Sequence, residues 1–198
     1  MGRADGPDPV PGAAAPGGLI PLPGFPIGGI DDGVVRLRMH ADSDLEEVAR
    51  LSLDPEILRW TFVPDDNSAD AMATWLAEWR GRGEELHLLI ADAESDRPLG
   101  AVGIVDADLD QRRCGIGYWL APDARGGGIV ARAVRLLTAW CFDELGVLRV
   151  EIRAEPGNAA SRAVAERCGF AFEGIARSWF TIKGRRADAA VYSLIRES

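Results

Sequence analysis

Apolar and polar positions alternate from residue 34 onward, where Val34-Val35-Arg36-Leu37-Arg38 reads as the first strand. Asp42 or Ser43 then caps a helix that runs to about residue 51. Glu46 and Glu47 lie in its first turn, where carboxylates complement the helix dipole. Asp54-Pro55 starts a short helix reaching Trp60. Ser68 or Asp70 opens a longer one carrying Met72, Trp75, Leu76 and Trp79, closed by Gly81 and Gly83. Two apolar runs, 86–91 and 99–105, predict strands joined by a polar turn, and 115–120 predicts a fourth. Residues 131–145 place Val134, Leu137, Cys141 and Leu145 near helical spacing and stop at Gly146. A strand over 148–153 and a helix over 158–168, stopped by Gly169, follow. Two last strands, 170–179 and 186–194, meet at a Lys183-Gly184 turn. The pattern predicts an α/β domain, antiparallel in its first half and strand–helix–strand–helix in its second.

Residues 1–30 break this pattern. Half of them are Pro or Gly, with only isolated large apolar residues, too little surface to offset the entropy of ordering. The expectation is a disordered tail over 1–30 and a single domain over 31–198. Within the tail, Leu19-Ile20-Pro21-Leu22 and Phe25-Pro26-Ile27 are able to dock as an extended strap. No stretch approaches the roughly 18 apolar residues of a membrane span. The start lacks a basic segment followed by an apolar run, so no secretory signal is read and the cytoplasm is the expected location.

Charge narrows the classes of partner. A formal net charge of −9 argues against a general nucleic-acid binder, which carries a basic face. It suits a cationic acceptor, or serves solubility alone. Three cysteines, Cys114, Cys141 and Cys168, are widely spaced and show no C-x-x-C pair, so neither zinc nor a disulfide framework is indicated. Cys168, beside Gly169 at a helix end, is either a reactive thiol or a structural one.

The chemistry concentrates after the fourth strand. Tyr118-Trp119-Leu120-Ala121-Pro122-Asp123-Ala124-Arg125-Gly126-Gly127-Gly128-Ile129-Val130 runs from strand through a glycine-rich turn into a long helix. Backbone N–H groups in such a turn, together with the helix N-terminus, make an anion site, and Arg125 adds a positive charge beside it. By itself the turn is equally a tight connection. No Lys-Ser/Thr follows it, and G-x-G-x-x-G is absent, which excludes a Walker loop and a dinucleotide fingerprint.

Downstream lie Glu155-Pro156-Gly157-Asn158, Ser161 and Cys168-Gly169-Phe170. With Arg125 and Gly128 ahead of them, in this order and approximate spacing, the chain resembles the GNAT superfamily of acyl-CoA-dependent N-acyltransferases over about residues 34–196. Asp54-Pro55-Glu56, Arg59-Trp60, Trp75-Leu76, Gly184-Arg185-Arg186, Asp188 and Tyr192-Ser193-Leu194 are similar to the branch that acetylates ribosomal-protein N-termini. The resemblance implies the GNAT fold, a mixed and partly splayed central sheet of about seven strands flanked by helices. It implies acetyl-CoA as cofactor, a primary amine as acceptor, and allows a homodimer. The acceptor is a protein or peptide N-terminus, or else a small molecule such as a polyamine or antibiotic. A non-catalytic acyl-CoA-binding module is the third reading.

Carried onto this chain, the resemblance lays the pantetheine arm along Tyr118, Trp119 and Leu120. It lays the diphosphate on Arg125, Gly126, Gly127, Gly128, Ile129 and Val130, with Asn158 bonding the arm and a strand N–H stabilising the oxyanion. Val130 departs from the family's Gly or Ala and threatens to crowd the diphosphate. The family's leaving-group tyrosine falls at Ala165. Ser161 matches a serine with that acid-like role in the branch, or simply bonds backbone near its helix start. The branch's general base aligns with Phe180. Glu151 through water, His87, or solvent remain as alternatives. Asp188 anchors a turn or contacts the amine. Trp60, Trp75 and Trp79 wall the acceptor cleft or pack the core.

Overall fold

The computed structural model describes residues 22, 24–66, 68–80 and 85–197. Most of the 1–30 segment, including Leu19 and Ile20, lies outside the described residues, as do Gly81, Gly83 and the side chain of Trp79. One sheet organises the rest. Its strands are β1 (Ile30–Asp31), β2 (Val35–Met39), β3 (Leu86–Asp92), β4 (Pro98–Asp108), β5 (Arg113–Leu120), β6 (Arg149–Ala154), β7 (Ala171–Ile182) and β8 (Arg185–Ile195). Their order is β1-β2-β3-β4-β5-β6-β8-β7. The eighth strand, beyond the seven expected, is the two-residue β1, too short to show an alternation in sequence. Phe25, just before it, is buried and packs on Trp140 with ring centroids 5.1 Å apart, while Ile27 is fully exposed.

The helices are α1 (Leu45–Leu51), α2 (Pro55–Trp60), α3 (Ala69–Arg80), α4 (Ile129–Asp143) and α5 (Ala159–Arg167). They cover opposite faces of the sheet. β3 explains why: Leu88 and Ile90 enter the cluster with Val134, Leu137 and Cys141 of α4. Leu89 and Ala91 enter the other cluster, with Val48 and Leu51 of α1 and Met72 and Leu76 of α3. A strand buried on both faces reads as a continuous apolar run, as 86–91 does. The caps follow their side chains. Asp54 accepts from the Ile57 N–H at 3.2 Å, Ser68 from Ala71 at 3.1 Å, and Asn158 from Ser161 at 3.0 Å. The first helix differs: 42–44 form a 3-10 turn, and Asp44 pairs with Arg38 at 2.6 Å and accepts from the Ala41 N–H at 2.7 Å, making no side-chain bond to the first turn of α1.

Every neighbouring pair of strands is antiparallel except β5–β6, which the α4 crossover makes parallel. That parallel pairing lasts only from Arg113↔Arg149 to Gly115↔Glu151. Beyond it β5 stays bonded to β4 as far as Leu120 and β6 to β8 as far as Ala154, so the sheet opens between them. Backbone donors on the facing edges of an opened sheet need another partner, which marks the gap as a place for a ligand. Among the described residues no helix is long and apolar enough to cross a membrane.

Candidate active site

A cleft of about 610 Å³ occupies the gap. Its walls include residues 116–120 of β5, Ile152, Arg153 and Ala154 of β6, the turn and first residues of α4, and Asn158, Ser161 and Val164. It extends past α2 at Glu56 and Trp60, and past Thr61, Phe62 and Phe180. The alternation of β5 divides it by face. Tyr118 points to the α4–α5 side, where its hydroxyl meets Ser161, whereas Trp119 packs among α1–α3 residues.

On the α4 side the site is built for an anion. Gly126 and Gly128 adopt φ of +86° and +76°, a region closed to most side chains, and a Cβ on any of Gly126, Gly127 and Gly128 would meet little or nothing. Gly128 caps α4 without a side chain, and no acidic residue lies in the first turn. The N–H groups there are left to an incoming ligand. The residues present therefore fit the diphosphate of an acyl-CoA. Val130 packs against the main core while lining the cleft, so its β-branched side chain is partly absorbed by the protein. Arg125 lines the cleft too, but not as a free charge. Its guanidinium donates to Asp54 Oδ1 at 2.6 Å and to the Leu120 carbonyl at 3.1 Å, tying the turn to the start of α2.

The inner end of this arm carries two hydroxyls. Tyr118 Oη lies 3.0 Å from Ser161 Oγ and donates to the Ser161 carbonyl at 3.1 Å. Burial pushes the Tyr118 phenol well above its ordinary range, against the opposing bond from Ser161, so it stays a neutral donor. Asn158 spends its Oδ1 on the Ser161 N–H and keeps its NH2 as the remaining donor. Ala165 is wholly buried in the core, so the hydroxyls at this end come from Ser161 and from Tyr118 on β5. Tyr118, read from sequence only as a wall of the arm, also places its hydroxyl against Ser161, a contact that its strand position concealed.

Of the sequence-derived site residues, Tyr118, Trp119, Leu120, Arg125, Gly126, Gly128, Ile129, Val130, Asn158 and Ser161 all line the cleft. Gly127 borders it within the turn. Glu151 does not line it: its carboxylate accepts from Arg149 at 2.7 Å and lies 3.5 Å from Arg153, on the still-paired part of β6. Its two guanidinium partners hold it outside the cleft, so the structure does not bring Glu151 together with the other site residues. His87 does not line this cleft; it sits beside Trp75 at 5.2 Å and Glu85 at 3.4 Å and lines a smaller neighbouring cavity. Asp188 anchors its hairpin, accepting from the Ser178 N–H at 2.7 Å. Cys168 donates to the Ala131 carbonyl at 3.5 Å, and burial raises its thiol, which favours the structural role.

Sequence reasoning missed the carboxylates of the acceptor side. Glu155 is engaged by both guanidinium nitrogens of Arg185, at 2.6 and 3.0 Å. Glu56 accepts only from the indole N–H of Trp60, at 2.8 Å, among the described residues. Phe180, where the branch's base aligns, instead meets Phe62 edge-on at 6.0 Å and forms an apolar wall.

An acetyltransferase (GNAT) domain model matches residues 35–171, across the opened sheet and its glycine turn. The chain belongs to the GNAT acetyltransferases. It is 34% identical over 167 residues to a Bacillus subtilis protein named "Putative ribosomal N-acetyltransferase YdaF", covering 82% of this chain and 91% of that one. A Chromobacterium violaceum structure named as one of the "probable acetyltransferases (GNAT family)" superposes with a TM-score of 0.78 at 27% identity, covering 96% of this chain and 97% of that one. A Vibrio cholerae spermidine N-acetyltransferase, solved with CoA and spermine, shares the fold at a TM-score of 0.71 and 20% identity, over 83% of this chain and 96% of that one. This GNAT chain is accordingly an N-acetyltransferase that uses acetyl-CoA and acts on an amine.

Proposed function

We propose that the acceptor is the α-amino group of a peptide or protein. The observation that carries this reading is the charge balance of the acceptor side. Arg153 pairs with Asp106 at 2.7 Å, Glu155 pairs with Arg185, and Lys183 reaches across to Asp65 at 2.6 Å. Glu56 is the one cleft carboxylate there without a cation partner among the described residues. A polyamine needs several uncompensated carboxylates; a chain terminus presents one amine on a largely neutral body. The 34% identity to a protein named as a ribosomal N-acetyltransferase supports the same acceptor.

Acetyl-CoA supplies the acyl group already activated as a thioester. In this reading the turn glycines and the first-turn amides of α4 hold the diphosphate, and Asn158 orients the arm. Glu56, steadied by Trp60, takes the ammonium proton through water, since an N-terminal amine with a pKa of about 8 must be neutral to attack. Ser161, backed by Tyr118, provides the hydrogen-bond donor that a departing sulfur requires.

Mass-spectrometric rates with acetyl-CoA test the acceptor class on three substrates: a free-N-terminus peptide, the same peptide N-terminally blocked but containing lysine, and spermidine. The free peptide is expected to dominate kcat/KM. A higher kcat/KM for spermidine or the blocked peptide overturns the assignment.

A further inference from the structure

Two contacts join the α2 side of the cleft to the β7–β8 hairpin. Phe62, between α2 and α3, meets Phe180 of β7 with ring centroids 6.0 Å apart, and both line the cleft. The second contact starts from the hairpin turn, where Lys183 Nζ donates to the Leu58 carbonyl at 2.7 Å and to Asp65 Oδ1 at 2.6 Å. Leu58 lies in the last turn of α2, where helix carbonyls lack intrahelical partners. Lys183 and Asp65 do not themselves line the cleft, so this tie holds α2 from outside.

α2 is fastened at its other end too. Asp54, its cap, accepts from Arg125 at 2.6 Å. Glu56 lies between the two fastenings, and Trp60, whose indole bonds it at 2.8 Å, lies just past the second. A helix of six residues is too short to hold its place by its own hydrogen bonds, so these external ties decide where Glu56 sits.

Lys183 is an unexpected residue for its turn. Ile182 pairs with Arg185, which leaves Lys183 and Gly184 as a two-residue loop with φ of +46° and +76°. Positive φ at both places marks a type I′ turn, which favours Asn, Asp or Gly at the first. A lysine held there is strained, and such strain persists where surrounding contacts fix it. It is also the only lysine in the chain, so it is not drawn from a lysine-rich surface. An ammonium on a long stem reaches both acceptors across the gap, as the shorter turn residues would not.

We propose that Lys183 is a positioning residue: by tying α2 to the β7–β8 turn it holds the Glu56 carboxylate in register with the acceptor amine. The inference rests on the reading of Glu56 as the group that takes the ammonium proton. Cutting the tie leaves α2 pivoting on Asp54, and Glu56 loses the fixed geometry that a water-relayed proton transfer needs. Asp65 is largely exposed, and an exposed ion pair contributes little to stability, so the tie is read in turnover and not in melting.

Kinetics on the full chain, with acetyl-CoA and the free-N-terminus peptide, test this. Lys183→Asn cuts the tie while suiting the turn, so Tm should hold or rise. Its kcat should fall roughly tenfold, less than the ~10²-fold that a 1 Å misplacement at a reacting centre costs. The acetyl-CoA Kd should stay within twofold. Lys183→Arg, which keeps a cation on a long stem, should retain most of the parent kcat, and Asp65→Asn should lose part of it from the other side. Beside Glu56→Gln, Lys183→Asn should cost nothing further, because its effect runs through that carboxylate. An unchanged kcat in Lys183→Asn, an equal loss in Lys183→Arg, or a full tenfold loss that persists beside Glu56→Gln overturns the proposal. A Glu56→Gln enzyme as fast as the parent would instead refute the proton-acceptor reading on which the proposal stands.

Discussion

Replacing Tyr118 by Phe removes one hydroxyl and leaves the ring, so it separates chemistry from packing. The lost group makes contacts of 3.0 Å to Ser161 Oγ and 3.1 Å to the Ser161 carbonyl. As neutral hydrogen bonds beside an open cleft, these contribute about 1 kcal/mol to stability. In the proposed turnover the same hydroxyl would order Ser161 as negative charge develops on sulfur. Removing a direct donor to such charge costs 10²–10³ in kcat; a donor acting through one intervening hydroxyl should cost about tenfold, or ~1.4 kcal/mol. Steady-state kinetics should show kcat down about tenfold with the acetyl-CoA Kd, measured calorimetrically, within twofold of the parent. Because burial raises the Tyr118 phenol above 10, its ionisation lies beyond the assay range, and the basic limb of the pH profile should be the same in both proteins. An unchanged kcat accompanied by a lower Tm would refute the argument and leave Tyr118 a packing residue. A shifted basic limb would mean that Tyr118 itself titrates during turnover.

Two further outcomes follow from the ion pairs. Bonds from Arg149 and then Ser193 lower the Glu173 pKa from 4.5 to about 2, so its stabilisation is complete above the unfolded value and is lost as pH falls through about 2. Glu173 is partly exposed, and after solvent screening Glu173→Gln should cost about 1 kcal/mol at pH 7 and nothing near pH 2, read by chemical denaturation. Asp54→Ala removes both the α2 cap and the Arg125 tether, for a loss of roughly 1–2 kcal/mol and a higher acceptor KM, measured by melting and kinetics. A raised KM for acetyl-CoA alone would show that the tether serves the turn and not α2.

Much of the fold was legible because each element states its environment locally. The run 86–91 is apolar at every second position and between, as a strand covered on both faces must be, apart from His87. Gly146 and Gly169 stop helices with φ of +65° and +86°, a conformation their residue type foretells. β7 shows the opposite case. Between Ala176↔Ala189 and Phe180↔Ala187 it carries two more residues than β8, a bulge anchored by Asp188 that extends the strand to Ile182. Nothing periodic in 177–180 announces it, yet it belongs to the same strand that presents Phe180 to the cleft.

The sequence by itself determined the strand and helix order and the glycine turn at the head of α4, while acyl-CoA entered through the family resemblance that these residues carry. These depend on residues adjacent in the chain, where φ preference, capping and spacing act directly. Only the tertiary structure decided which charges are free. Arg125 and Asp54 are 71 positions apart, Glu155 and Arg185 30, and Tyr118 and Ser161 43. Pairings at such separations come from packing two layers of helices on an opened sheet. They placed Glu151 between Arg149 and Arg153, Glu56 on the cleft wall, and the Tyr118 hydroxyl against Ser161.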